Sequence, residues 1–229
     1  MNITESFFLL GYIKYGDFDG ILHLFGKERG YKSFFLKGLY RKGNKSRAYI
    51  MPLAKILVTF PSVEKEGRLL TISQIESGGS SFDEISMKEN TVRFFVSDFL
   101  NHLLRNHQEV GEIFDELEEF SVGLKDGNYT SHLILLIRLL KYEGHSPLLS
   151  DGDYLDPETG EFTHEPASSL FSKSTSLFWK TVLGLESPYK HKFSNLDKSS
   201  ILDSILSYYR THQGNFRVPK SLEIVRQLF

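Results

Sequence analysis

The hydrophobic period changes once along this chain, and that change limits the fold more than any other feature. Residues 7–15, 20–25, 31–39, 49–60 and 68–75 are rich in β-branched and aromatic side chains, and the turn-forming clusters GDFDG, GKERG, RKGNKS and PSVEKEG separate them. This pattern reads as five short strands. Residues 77–81 (SGGSS) form a linker by composition. Beyond it Phe94, Phe95, Phe99, Leu103 and Leu104 recur every three to four positions, as do Val110, Ile113, Phe114, Leu117 and Phe120, so two amphipathic helices follow. Residues 131–143 are apolar over most of a helical surface and predict the buried centre of a helical domain. Residues 144–166, rich in Gly, Pro, Asp and Ser, predict a long irregular loop. Helical patterns resume over 174–183, 198–211 and 220–228, with Pro219 and Ser221 marking the last start. Strands segregated from helices define an α+β chain. The expectation is a five-stranded OB-fold β-barrel over residues 1–78, then an all-α domain over 79–229 with the loop at 144–166.

Composition bounds what such a chain does. With 229 residues, 40% of them apolar and 24% charged, it buries a core without staples. It contains no cysteine, which excludes disulfides, thiolate metal sites and cysteine nucleophiles. The N-terminus has no basic region before its short apolar run and no small-residue cleavage site. The apolar stretch 133–140 is interrupted by Arg138 and is too short to span a bilayer. The expected location is cytoplasmic, associated with the nucleoid.

Charge is distributed unevenly. The stretch from Lys27 to Arg47 carries Lys27, Arg29, Lys32, Lys37, Arg41, Lys42, Lys45 and Arg47 against the single acid Glu28, in a protein of net charge -2. Tyr31, Phe34, Phe35 and Tyr40 are interleaved with these cations. Cations that displace condensed counterions, beside rings that accept stacked bases, suit a nucleic acid; a solvated basic hairpin with inward-facing rings fits the same residues. Residues 109–127 hold seven acids against Lys125, and the tail from Pro188 holds seven cations against three acids. Basic ends around an acidic middle favour oriented docking on a polyanion, although ordinary surface acids explain the middle equally well.

Motifs for chemistry are weak. Residues 38–46 approach a phosphate-binding P-loop, but Asn44 separates the second glycine from the lysine and strands surround it. Asp151, Asp153, Asp156, Glu158 and Glu161 miss the spacing of a calcium loop, since Leu155 stands where an oxygen ligand belongs and Asp156 where a glycine makes the turn. Turn-forming acids explain them better. His102 and His107 are five apart and diverge around a helix, and HExxH, GxSxG and GxGxxG are absent from the sequence. No catalytic residue, metal or cofactor is expected.

Over this same ground the sequence resembles the RecO family of bacterial recombination mediators. Tyr15-Gly16-Asp17-Phe18-Asp19, Leu24-Phe25-Gly26-Lys27-Glu28-Arg29-Gly30, Lys37-Gly38, Ser46-Arg47 and Met51-Pro52-Leu53 follow in the order of that family's N-terminal barrel. The helix around Leu135-Leu136-Ile137-Arg138-Leu139-Leu140, running into Gly144-His145-Ser146-Pro147, is similar to its Phe-Glu-Leu-Arg-Leu-Leu and Gly-x-x-Pro, and the segment from Tyr208 to Leu222 resembles its ending. Many members carry a four-cysteine zinc module after Gly-x-x-Pro; here the acidic loop at 150–166 replaces it, with Tyr154, Leu155 and Phe162 expected to fold onto the helices and Pro157 and Gly160 to turn the chain.

The resemblance implies a non-enzymatic DNA repair factor. It would bind single- and double-stranded DNA, anneal strands, bind the acidic C-terminal tail of single-strand-binding protein and, with RecR, assist RecA loading. The DNA-binding candidates are Lys27, Arg29, Lys32, Phe35, Lys37, Tyr40, Arg41, Lys42, Lys45 and Arg47. Arg138 and Lys141 are candidates for the tail, an internal salt bridge from Arg138 to the acidic run being the competing expectation. Two other classes stay open: a protein-interaction adaptor on an OB-fold that binds no DNA itself, and a metal-dependent nuclease using Asp151, Asp153 and Asp156.

Overall fold

The computed structural model describes residues 1–63, 66–79, 85–106 and 111–228. Chain contacts divide it into two compact units: Met1–Asp115 with Pro219–Ser221, and Glu116–Val218 with Leu222–Phe229. The first unit is a barrel with a helical cover. Strands β1 (Asn2–Tyr15), β2 (Asp19–Gly26) and β3 (Gly30–Leu36) form an antiparallel meander, and β4 (Lys55–Pro61) returns along the other side of β1. The expected fifth strand is present in two pieces: β5 (Leu70–Thr71) runs parallel to β3, and β6 (Gln74–Ser77) runs antiparallel to β4. Between them Ile72 N–H donates to Phe35 O and Ser73 N–H to Thr59 O. One broken strand therefore bridges the two edges of the sheet and closes it as an OB-fold. Closure leaves no long free edge for another chain to pair with.

Side-chain alternation sets the core. Phe7, Leu9, Leu22, Leu24, Phe34, Leu36, Ile56, Val58 and Phe60 point inward and are buried. Leu10 is an extra residue at the β1 bulge, which adds twist and moves β1 into a new register beyond it. On the outside, Phe8 packs on Phe114 with ring centroids 5.0 Å apart, beneath α1 (Met87–Leu103) and the start of α2 (Gly111–Lys125). The strand expected over 49–60 starts only at Lys55: Lys45–Tyr49 is a 3₁₀ turn, and Leu53 adopts a left-handed φ of 54°. The Arg93 guanidinium donates to Leu53 O and pairs with Glu89, fixing this kink. The linker's Ser80 and Ser81, and His107, Glu109 and Val110 of the helical pattern, lie outside the described residues.

In the second unit α3 (Ser131–Tyr142) is buried along most of its length, as its sequence predicts. Helices α4 (Lys173–Gly184) and α5 (Lys198–His212) pack against it, followed by the single-turn α6 (Leu222–Arg226). Tyr209 donates to Leu136 O on α3, and Trp179 Nε1 to Ser204 Oγ between α4 and α5, so the large buried polar tips are satisfied.

The loop at 144–166 contains a small hairpin, β7 (Tyr154–Leu155) with β8 (Phe162–Thr163). Leu155 and Phe162 are buried, and Leu155 N–H donates to Ser176 Oγ on α4. Gly160 turns the chain at φ 72°. The hairpin is not visible in the sequence because each strand is two residues long; of the expected packing residues Leu155 and Phe162 are buried, and Tyr154 is half-buried.

Two stability predictions follow from this packing. A Cβ on Gly152 would lie 2.3 Å from the Phe162 carbonyl carbon and the Thr163 nitrogen; Gly152→Ala is expected to destabilise the chain by about 1–3 kcal/mol in urea unfolding. His132 on α3 is fully buried with Nδ1–H donating to Tyr129 O, and burial lowers its pKa from 6.5 to about 4. The neutral ring is the folded form, so stability is level above pH 6.5 and falls as pH drops from 6.5 towards 4, by at most about 3 kcal/mol. The urea midpoint should fall between pH 7 and pH 5, and His132→Asn should flatten that dependence.

Candidate nucleic-acid interface

The end of β3 builds a cationic surface on the first unit. After Leu36 the chain turns at Gly38 (φ 70°), whose N–H donates to Asp19 Oδ1 at 2.7 Å, while Tyr40 N–H donates to Phe18 O at 2.8 Å. Asn44 then ties the loop to itself: its Nδ2 donates to Gly38 O, and its Oδ1 accepts from Ser46 N–H to cap the 3₁₀ turn. The residue that spoils the P-loop pattern thus has a structural use here. Held at its base, the loop displays Lys37, Arg41, Lys42, Lys45 and Arg47, all exposed. None of the five forms an ion pair among the described residues. Lys37, Arg41 and Lys42 line an open recess of ≈ 510 Å³ with Asn44, Ser46 and Ser73. Five cations within eleven residues, with no acid in the segment, leave a local positive field on a chain of negative net charge.

Aromatic residues adjoin this loop. Phe34 points into the barrel, whereas Tyr31 and Phe35 face outward and are partly buried. Tyr40 packs partly against the core with Lys14 Nζ 5.9 Å from its ring centre. The sequence reading missed the β1–β2 hairpin: Tyr12, Ile13, Tyr15 and Phe18 are 46–56% exposed. Arg41 lies over Phe18, and Tyr15 meets Phe35 edge-on at 5.9 Å. The signal for it was an aromatic strand running through Tyr12, Tyr15 and Phe18 into a polar turn, obscured by an apolar pattern that also fits a core strand.

The remaining barrel candidates do not join the loop. Lys27 and Arg29 occupy the turn at the opposite end of β3, about 20 Å away by strand rise. Lys27 Nζ pairs with Asp115 at 2.6 Å, and Arg29 donates to both Glu5 oxygens while stacking over Phe60. Lys32 lies on the same face of β3 as Phe34 and Leu36 and is partly buried. The continuous basic run of the sequence is therefore split by the length of one strand. Among the described residues, one end is paired with carboxylates and the other is not.

In the second unit, Arg138 is engaged with Glu116 at 3.1 Å. The Glu116 carboxylate is buried and also accepts from Tyr142 OH at 3.0 Å and Tyr189 OH at 2.6 Å. Burial, then the Glu116 charge, pushes the Tyr189 phenol well above its ordinary pKa. The internal salt bridge weighed for Arg138 is the arrangement present. Lys141 is exposed, its ammonium 5.6 Å from the Tyr142 ring centre. Among the loop acids, Asp153 pairs with Lys173, and Asp156 Oδ1 accepts from Glu158 N–H within a turn. Among the described residues, no three His, Asp or Glu side chains are grouped to hold a metal, and no helix is long and apolar enough to cross a membrane.

A closed OB-fold barrel whose cationic loop forms no ion pair among the described residues, beside exposed aromatics, is the class of surface that suits a polyanion. Residues 1–80 match the family described as the N terminus of recombination protein O. The chain is 27% identical over 240 residues to a DNA repair protein RecO of Flavobacterium psychrophilum, covering all of both chains. It is 26% identical to those of Flavobacterium johnsoniae and Porphyromonas gingivalis, again over the whole of both chains. Over its whole length the chain is similar to these RecO proteins, and its first 80 residues match their N-terminal family.

Glu116 is the side chain on which the second unit's polar interior converges. Glu116→Ala leaves a guanidinium and two phenols without their acceptor and is expected to cost about 3 kcal/mol in urea unfolding. Lys27→Ala, which opens an exposed pair, should change stability by less than about 1 kcal/mol.

Proposed function

We propose that this chain is a non-enzymatic mediator of DNA repair and recombination, and that Lys37, Arg41, Lys42, Lys45 and Arg47 hold the DNA backbone, with Phe35 and Tyr40 beside them. The observation that carries this is the absence of any carboxylate partner for those five cations among the described residues. Charges already paired within a protein release little counterion on binding DNA, whereas unpaired ones release it fully. A loop anchored through Asp19, Phe18 and Asn44 presents them at small ordering cost. Annealing asks no more of such a surface than neutralising two strands at once, for which no reacting side chain is needed.

The finer reading follows the family. The chain acts in the cytoplasm at the nucleoid, with RecR, to assist RecA on strands coated by single-strand-binding protein, whose acidic tail it engages through Lys141 and Arg138. A tail carboxylate arriving at Arg138 has to displace Glu116, and Lys141 lies exposed on the same helix.

Fluorescence anisotropy of a labelled oligonucleotide at several salt concentrations tests the reading. Affinity should fall steeply with salt. The combined change Arg41→Glu, Lys42→Glu and Lys45→Glu should weaken binding on the order of 100-fold at low salt and reduce the logarithmic salt slope by about 2–3. A wild-type chain that binds an acidic tail peptide but shows no salt-dependent DNA affinity would be an adaptor instead.

A further inference from the structure

A recess of ≈ 300 Å³ lies wholly within the second unit, between the last turns of α2 and the 3₁₀ turn at Pro188–Lys190. Val122, Gly123 and Tyr189 supply its apolar surface, and Glu118, Glu119 and Asp126 stand against the single cation Lys190. Glu118, Val122 and Asp126 are spaced four residues apart, which puts them on one helix face, the two acids about 12 Å apart along the axis with the valine midway. Asp126 N–H donates to Val122 O, so the helical turn reaches the second acid. Val122 is 59% exposed, an apolar side chain facing water between carboxylates. Glu119 and Asp126 are exposed and form no ion pair among the described residues. Gly123 closes the wall, and a Cβ there would meet Ser131 Oγ and Tyr189 Cβ, each at 3.1 Å. Ser131 Oγ is fully buried with no hydrogen-bond partner among the described residues, so a donor seated against Gly123 would complete it.

An apolar surface between two carboxylates suits a cation on a long aliphatic stem: the methylenes lie along Val122 and Tyr189 while the charged head reaches an acid. The same chain displays such side chains. Lys37, Arg41, Lys42, Lys45 and Arg47 are exposed and form no ion pair among the described residues, so within one copy the recess is not their partner. We propose that this recess receives the 37–47 loop of a second copy of the chain, and that DNA displaces it. Loop and recess are different surfaces, so the contact is heterologous: each copy offers its own recess to the next, and copies associate head to tail. Exposed ion pairs are individually weak and are screened by salt, which makes the association reversible and dependent on protein concentration. The proposal goes beyond the DNA-binding reading and requires only that the loop cations are unpaired. Where both hold, one loop serves two occupants that exclude each other, and the protein free of DNA covers its cations with its own acids.

Sedimentation velocity of the full chain tests this, run over a wide range of protein concentration at about 0.1 M and about 1 M salt, between which the Debye length falls from about 10 Å to about 3 Å. The sedimentation coefficient should rise with concentration at the lower salt and stay at the single-copy value at the higher. Glu119→Lys with Asp126→Lys should weaken the association by about tenfold or more, and so should Arg41→Glu with Lys45→Glu. Mixed in equal amounts, the two double variants should associate again, because the reversed recess matches the reversed loop; that recovery also shows that both variants fold. A short labelled oligonucleotide should dissolve the wild-type assembly as it binds. A sedimentation coefficient independent of concentration at both salts would overturn the proposal, even where a lysine-rich peptide binds the recess. Association that survives either charge reversal, no recovery from two variants with wild-type urea midpoints, or an assembly that persists with the oligonucleotide bound would overturn it equally. An assembly that persists because the oligonucleotide does not bind would overturn the DNA-binding reading and leave this one standing.

Discussion

Inside the barrel, Phe7, Phe34 and Phe60 meet edge-to-face with ring centroids 5.0–6.0 Å apart. They come from β1, β3 and β4, strands that are not all neighbours in the sheet. Their mutual burial sets which side of each strand faces inward. Because strand alternation has a period of two, a slip of one residue would turn every outward side chain into the core. Tyr15, Phe35 and Lys37 face solvent because Phe34 and Leu36 do not. The candidate interface is in this sense a by-product of the core register.

Much of this was legible in the residues. Alternation and turn clusters mark β1 to β3 within a few positions, and α3 reads as a buried helix from its near-continuous apolar run. Elements that depend on distant partners were not legible. Leu70–Thr71 and Gln74–Ser77 carry too few residues to show a period, and only pairing with β3 and β4 makes them one closing strand. Residues 49–54 have strand-like composition, but Pro52 and the left-handed Leu53 held by Arg93 bend them away. The hairpin at 154–163 is decided by Ser176 and the space beside Phe162, neither of which a local window contains.

The candidate site shows the same division. That a basic, aromatic-rich stretch lies near residues 27–47 is plain from the sequence. Which of its cations remain uncompensated is a question of what stands opposite, and Glu5 and Asp115 answer it for Arg29 and Lys27 from 24 and 88 residues away. Local charge counting treats all eight cations alike, while the fold places a strand between them. The exposed rings of the β1–β2 hairpin escaped notice because exposure depends on where the helices stop covering the sheet, and that boundary lies at Gly11 and Asn101.

The hairpin on α4 has a consequence for chemical durability. A segment packed through Leu155, Phe162 and backbone hydrogen bonds owes none of its folding energy to a thiolate-bound ion, and a chain without thiols offers no sulfur there for peroxide to attack. An oxidant or chelator that would dismantle a thiolate-clasped loop finds no such clasp in this one.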